Sequence, residues 1–349
     1  MINKKKLSAL LLSGAMLMSM STSVFAQGVP TIREGTEGHP ATATIKKNFE
    51  FSEGIATPQV TFKFTATSST PDAPTATITD ISYTDGENAG NITDGKYTIS
   101  KNTAISFGEF PHAGLYEYTV KETNEHGTGI TYDTNEYKVH VYVANGKDKP
   151  YVKTITSENN NEKKPIIFTN TYKKDASLII EKNTTGELAD KTKDFDFTII
   201  FTKSATSDDK IFTGKIGNET VTCEAGVEQT FKLHDKEQLV FNNLPAGTRY
   251  VVKEKGIPSD GYTPSVTVIE NDVTTVNGIK GNETDDLSSS TNGTNLVGEK
   301  TNKVTFVNTH NDTPITGIII NNSPFILMIS FAVLGFGALA IIKRRKTIR

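Results

Sequence analysis

The stretch LYEYTVKETN (Leu115–Asn124) decides the fold. Successive side chains of a strand point to opposite faces, so Tyr116, Tyr118 and Val120 share one face, and Glu122 falls on that same face. A second stretch, TRYVVKEKG (Thr248–Gly256), repeats the arrangement with Tyr250, Val252 and Glu254. Both strands carry an apolar, inward-facing row that ends in a carboxylate. Most carboxylates in folded proteins face water, so this placement needs a chemical reason.

Working outward, alternation dominates the chain. ATATIKKNFEF, VTFKFTATS, EYKVHVYVAN, DFDFTIIFTK and GYTPSVTVIE are rich in Thr, Val, Ile, Phe and Tyr and are bounded by Gly, Asn, Asp and Pro. These are strand signals with turn punctuation, and no long helical period competes with them. The expected class is all-β, as two tandem Ig-like β-sandwich domains. A length of 349 residues accommodates two domains.

The two domains are internal repeats. The first copy opens with Lys47 in TIKKN and the second with Lys182 in IIEKN. FKFT (Phe62–Thr65) is matched by FDFT (Phe195–Thr198), and FPHAGLYEYTVKE by LPAGTRYVVKE. Each copy closes on a strand reaching Asn, in IIFTN at Asn170 and VTFVN at Asn308. The Lys-to-Glu separations are 75 and 72 residues. The Lys-to-Asn separations are 123 and 126 residues. The expected domains are 27–172 and 173–312, with a boundary just after Asn170. Two segments, Ser157–Lys164 and Gly281–Asn295, read as polar mobile loops.

Both ends carry processing signals. Residues 1–26 combine Lys4, Lys5 and Lys6 with an apolar run and Val24-Phe25-Ala26, the pattern of a secretory signal peptide cleaved after Ala26. At the other end, Pro324–Ile342 is an apolar run of membrane-spanning length, followed by Lys343, Arg344, Arg345, Lys346 and Arg349. This places the middle of the chain outside the cell.

A single cysteine, Cys223, excludes an intrachain disulfide, and it reads as a small buried apolar residue. A net charge of −3 gives no basic footprint, so nucleic acid is not an expected partner. His-Glu-x-x-His, Gly-x-Ser-x-Gly and metal-ligand clusters are all missing from the sequence. No metal or cofactor is expected, and the chain does not read as an enzyme acting on an external substrate. The Asn-x-Thr triplets at Asn91, Asn218 and Asn292 are not read as glycan acceptors.

Each domain thus offers a Lys on its first strand, a Glu on a middle strand and an Asn on its last. In a sandwich the first and last strands can lie side by side, so the three side chains can meet in the core. Burial lowers the pKa of an ammonium and raises that of a carboxyl. A neutral amine is a nucleophile. A protonated Glu can polarise the Asn carbonyl and shuttle protons. The product is a Lys–Asn isopeptide bond with loss of ammonia. Lys46 competes with Lys47, which is preferred because KKN aligns with EKN through the Lys-Asn step.

With these motifs in view, residues 40 to 317 resemble a Gram-positive major (backbone) pilin of the two-domain streptococcal T-antigen type. The resemblance implies Ig-like domains with spontaneous isopeptide bonds: Lys47–Asn170 assisted by Glu122, and Lys182–Asn308 assisted by Glu254. It also implies a sortase sorting signal. Thr313, Pro314, Ile315, Thr316 and Gly317 resemble Leu-Pro-x-Thr-Gly, with Thr313 in place of Leu. Sortase would cleave between Thr316 and Gly317 and pass the Thr316 acyl group to a lysine of the next subunit. The segment EKKPIIFTN places Lys163 at that acceptor position, with Lys164 and Lys147 as alternatives.

The implied function is a pilus shaft subunit, secreted, held in the membrane as a precursor, polymerised and anchored to peptidoglycan in the cell wall. Its implied partners are a pilin-type sortase, identical subunits, minor pilins and a host surface. The alternative is a wall-anchored monomeric adhesin or minor pilin that binds a host ligand.

Overall fold

The computed structural model describes residues 34–123, 127–256 and 261–311. The expected signal peptide, the sortase motif Thr313–Gly317, the apolar span and the basic tail lie outside the described residues. Within them, all the regular elements are β-strands.

The first unit comprises β1 (Ala43–Ser52), β2 (Val60–Ser68), β3 (Ala76–Ile78), β4 (Ile81–Tyr83), β5 (Lys96–Phe107), β6 (Gly114–Thr123), β7 (Ile130–Thr131), β8 (Glu136–Ala144), β9 (Tyr151–Asn159), β10 (Glu162–Lys163) and β11 (Ile166–Tyr172). They form two sheets, ordered β3-β5-β1-β11-β7 and β10-β9-β8-β6-β2-β4. Rings cross between the sheets: Phe49 of β1 meets Phe62 of β2, and Phe168 of β11 meets Phe64 and Tyr137.

The second unit comprises β12 (Asp175–Thr185), β13 (Phe195–Thr202), β14 (Ile211–Ile216), β15 (Glu219–Glu224), β16 (Gln229–Leu233), β17 (Gln238–Pro245), β18 (Arg249–Glu254), β19 (Tyr262–Glu270), β20 (Val273–Lys280), β21 (Leu287–Ser288), β22 (Asn295–Leu296) and β23 (Lys303–His310). Its sheets run β15-β14-β17-β12-β23-β19-β20 and β16-β13-β18-β21, with β22 also on β18. Phe197 of β13 packs against Phe306 of β23 across the layers.

One feature recurs and positions the chemistry. The opening and closing strands of each unit are hydrogen-bonded neighbours, and they are parallel: β1 with β11, and β12 with β23. A parallel pair needs a long crossover, and here the rest of the unit supplies it. The chain therefore enters each unit at one pole and leaves at the opposite pole. The registers also match. Lys47 pairs with Phe168 while Phe49 pairs with Asn170; Lys182 pairs with Phe306 while Thr184 pairs with Asn308. In both pairs the Lys is two residues behind the partner of the Asn, so both side chains share the inner face.

Only Lys173 and Lys174 separate β11 from β12. The units abut through a buried hydroxyl cluster in which Ser52 reaches Ser204 at 2.6 Å and Thr206 at 2.7 Å. Gly247 sits at φ +90°, and a Cβ there would stand 2.4 Å from that of Ser52. Ion pairs of Glu53 with Arg249 and of Lys174 with Glu299 flank this contact.

The two segments read as mobile loops are built into the sheets instead. Ser157–Lys164 is a hairpin, with Glu162 opposite Asn159 and Lys163 opposite Glu158. Its two-residue turn has positive φ at both Asn160 (51°) and Asn161 (62°). That is the type I′ requirement, which asparagine tolerates. In Gly281–Asn295 the polar composition hides a buried set, Leu287, Ser289 and Asn295, which docks on the glutamate strand β18.

Candidate functional site

In each unit, alternation along the opening strand turns a lysine into the core. On β1, Ala43, Ile45, Lys47, Phe49 and Phe51 are buried, whereas Lys46 sits on the other face. Lys47 is fully buried, and its Nζ lies 4.3 Å from the centre of the Phe62 ring. Lys182 is also fully buried, with Nζ 4.0 Å from the centre of the Phe195 ring. Phe62 and Phe195 are the first aromatic residues of the repeated FKFT and FDFT motifs. Ammonium groups favour aromatic faces, and these rings also exclude water.

The glutamates arrive from the opposite sheet, at the C-terminal ends of β6 and β18. In the first unit one carboxylate serves two partners through separate oxygens. Lys47 Nζ donates to Glu122 Oε2 at 2.9 Å, and Asn170 Nδ2 donates to Glu122 Oε1 at 2.6 Å. In the second unit a single oxygen takes both. Lys182 Nζ and Asn308 Nδ2 each donate to Glu254 Oε1 at 2.7 Å. The structure thus brings Lys47, Glu122 and Asn170 together, and separately Lys182, Glu254 and Asn308.

Burial is the largest influence on these groups. It lowers the Lys47 and Lys182 amines to about 8, against the attraction of their glutamates. It raises Glu122 and Glu254 above the usual carboxylate range, again against the paired lysine. Each pair is therefore displaced from ammonium and carboxylate toward neutral amine and carboxylic acid.

The asparagine carbonyls differ from the sequence expectation. Both carboxyls contact the amide nitrogen of the asparagine, not its oxygen. In the first unit the Asn170 oxygen accepts the backbone N–H of Asp133 at 2.8 Å. An N–H can donate only to the oxygen, so this contact fixes the orientation of the amide. In the second unit Asn308 Oδ1 and Glu254 Oε2 are buried without hydrogen-bond partners among the described residues. Beside them is a cavity of about 20 Å³, bordered by Phe195, Tyr262, Pro264 and Leu287. That is room for about one water-sized molecule.

Asp133 was not singled out from the sequence. It lies in the connector between β7 and β8, and its only local signal is the Asp-Thr-Asn turn, in which Asn135 N donates to Asp133 Oδ1 at 2.8 Å. The proposed acceptor Lys163 is exposed on the hairpin strand β10, and its alternatives Lys164 and Lys147 are exposed too. Lys164 pairs with Glu162 at 2.7 Å. Cys223 is buried, with its thiol pushed up to about 11 by burial. Among the described residues no group of His, Cys, Asp and Glu could hold a metal ion.

Comparison with known proteins supplies a description for the first unit and leaves the second without a described role. Residues 43–173 match the FctA family, described as a Spy0128-like isopeptide containing domain. Residues 176–310 match a domain of unknown function, DUF7601. The chain is 29% identical to a pilin of Streptococcus pyogenes serotype M1, over 97% of this chain and 99% of the relative. Among solved structures, the T3.2 major pilin of S. pyogenes is 26% identical, with 78% of this chain and 98% of the other covered at a TM-score of 0.37. The T-13 major pilin of S. pyogenes is 28% identical, with 77% and 97% covered at a TM-score of 0.34. Both overlays are loose. The first unit thus matches the Spy0128-like isopeptide-containing domain, and the chain is similar along nearly its whole length to a streptococcal pilin.

Proposed function

We propose that this chain is the shaft subunit of a sortase-assembled pilus, and that two autocatalytic isopeptide bonds, Lys47–Asn170 and Lys182–Asn308, brace it. One observation carries the reading. A single buried carboxyl joins a buried Lys and a buried Asn on adjacent parallel strands, and this occurs twice in the same register.

The chemistry balances with this chain's own groups. Within each buried pair the ammonium passes a proton to the carboxylate, leaving amine and carboxylic acid. The Lys nitrogen attacks Cγ of the Asn, and the carbonyl electrons move to Oδ1. The Glu gives its proton to Nδ2 and takes one from the Lys nitrogen. Collapse breaks the Cγ–Nδ2 bond and releases ammonia, which leaves with a proton as ammonium and returns the Glu to its carboxylate. Glu122 contacts the nucleophile and the leaving group through different oxygens, a geometry suited to this exchange. Holding the groups within hydrogen-bond reach in a buried core supplies proximity.

Polymerisation follows from the outer motifs. A pilin-type sortase cleaves between Thr316 and Gly317 and transfers the Thr316 acyl group to Lys163 of the next subunit, and the last subunit passes to peptidoglycan. Secretion, the membrane-held precursor and the cell-wall location rest on the terminal signals. The exposure of Lys163 at a hairpin edge is compatible with sortase access. The test is intact mass. The mature chain should weigh less than its sequence by two ammonia molecules. Glu122→Ala should restore one and Glu254→Ala the other. A mass equal to the sequence would remove the cross-linking part of the proposal.

A further inference from the structure

The two triads present their asparagine carbonyls to different surroundings. The Asn170 oxygen receives the Asp133 amide at 2.8 Å, whereas the Asn308 oxygen is buried without a partner among the described residues. The Asp133 carboxylate holds this amide in place. Its Oδ1 accepts from Asn135 N at 2.8 Å and from Asn135 Nδ2 at 2.7 Å. Its Oδ2 accepts from the backbone N–H of Thr169 at 2.7 Å, one residue before Asn170 on β11. The connector between β7 and β8 is thus pinned to the closing strand beside the reacting amide.

We propose that the backbone N–H of Asp133 is the oxyanion donor for the first bond, that the Asp133 carboxylate is the positioning group that aims it, and that the second site draws no such donor from the described residues. This rests on the isopeptide reading above. When the Lys47 nitrogen adds to Cγ of Asn170, negative charge gathers on Oδ1, already within hydrogen-bond distance of the Asp133 N–H. A preorganised donor acts where charge develops and needs no reorganisation, and losing one typically slows a reaction by about 10²–10³-fold. At Asn308 no N–H among the described residues waits for that charge. The consequence is an order of events: within one molecule the Lys47–Asn170 bond closes before Lys182–Asn308.

The experiment is a time course of cell-free synthesis of the mature chain, quenched in acid and digested, with both cross-linked peptides counted by mass spectrometry. In the wild type the first cross-link should lead the second by about tenfold or more, a fraction of the full donor effect. Replacing residue 133 by the α-hydroxy analogue of aspartate, through nonsense suppression, turns its N–H into an ester oxygen and keeps the carboxylate. That chain should form the first cross-link about 10²-fold more slowly, with the second unchanged. Asp133→Ala should also slow the first cross-link, and Asp133→Asn, which keeps one acceptor oxygen, should fall between Asp133→Ala and wild type. Slow but complete closure marks a folded site that lacks its donor. If the ester chain and Asp133→Ala both close at the wild-type rate, the donor role is overturned. If wild type forms neither cross-link, it is the isopeptide reading itself that fails. If the ester chain does not fold, as judged by protease digestion of the first unit, the Asp133→Asn rate decides: slowed supports the proposal and unchanged overturns it.

Discussion

The first unit engages both oxygens of its glutamate and caps its asparagine oxygen with a backbone amide, while the second hangs both partners on one oxygen and leaves two buried polar atoms of the triad without partners among the described residues. The parts that agree between the units, lysine, aromatic platform, glutamate and asparagine, all lie on strands in matched register. The amide over Asn170, which the second site does not match, comes from a connector. Strand pairing replicates a constellation faithfully because a one-residue slip would turn every side chain to the other face. Connectors are under no such constraint, so two sites with the same triad acquire different surroundings.

The units also differ in mechanics on the proposed assembly. Tension entering at Lys163 runs along the closing strand to Asn170 and passes directly into β12. The first cross-link lies off that line and ties β11 to β1 while β11 is pulled. In the second unit the pull acts on the start of β12 and the end of β23, which are parallel neighbours. It shears them, and the Lys182–Asn308 bond carries the force past everything folded between them. One chemistry would serve as a clamp in one unit and as a tension member in the other.

The largest expected effect tests whether the two bonds are equal in thermodynamic weight. They close loops of nearly the same length, so each should contribute about 5 kcal/mol by restricting the unfolded chain. Asn170→Ala and Asn308→Ala should each lower the melting transition of their own unit by on the order of 15–20 °C in calorimetry. Unequal losses would show that the less complete hydrogen bonding of the second site carries over into stability. For assembly, Lys163→Arg should abolish the high-molecular-weight ladder in wall extracts while both internal cross-links persist, because a guanidinium stays protonated and cannot attack an acyl-enzyme. A full ladder would move the acceptor to Lys164 or Lys147. Absence of a ladder from the unsubstituted chain would favour the monomeric adhesin.

A smaller effect sharpens the contact between the units. Gly247→Ala puts a methyl group against Ser52 at a positive φ, and should destabilise by about 1–3 kcal/mol, seen as two melting transitions drawing apart. In the uncross-linked Asn308→Ala chain, Lys182 keeps a buried amine. Its folded pKa near 8 lies below the unfolded 10.5, so the unfolded chain binds the extra proton between those values. By linkage, the stability deficit relative to wild type should narrow as pH rises from 8 to 10.5, measured by urea denaturation. The smallest test concerns Cys223, held up near 11 by burial. It should resist iodoacetamide at pH 8 in the native chain and react once the chain is denatured.

The sequence made the triads legible through parity and repetition together. Parity alone would leave Lys47 and Lys46 as rivals, and the burial of Lys47 on the inner face of β1 separates them. It was less informative where composition masks geometry. Ser157–Lys164 is polar throughout, yet two asparagines at positive φ close it into a hairpin. Gly281–Asn295 buries Leu287 and ties Ser289 to Val252 through two hydrogen bonds, none of which its composition announces.

What the sequence by itself determined is which residues can meet: alternation sets the face of each side chain, and the repeat sets the strand on which each sits. What only the tertiary structure decided is how they meet. The parallel pairing of opening and closing strands, the oxygen each donor chooses and the amide over Asn170 all depend on through-space register. The Asp133 contact is the clearest case, because it is made by a backbone N–H, a group that nearly every residue carries and that acquires a role only when the fold aims it.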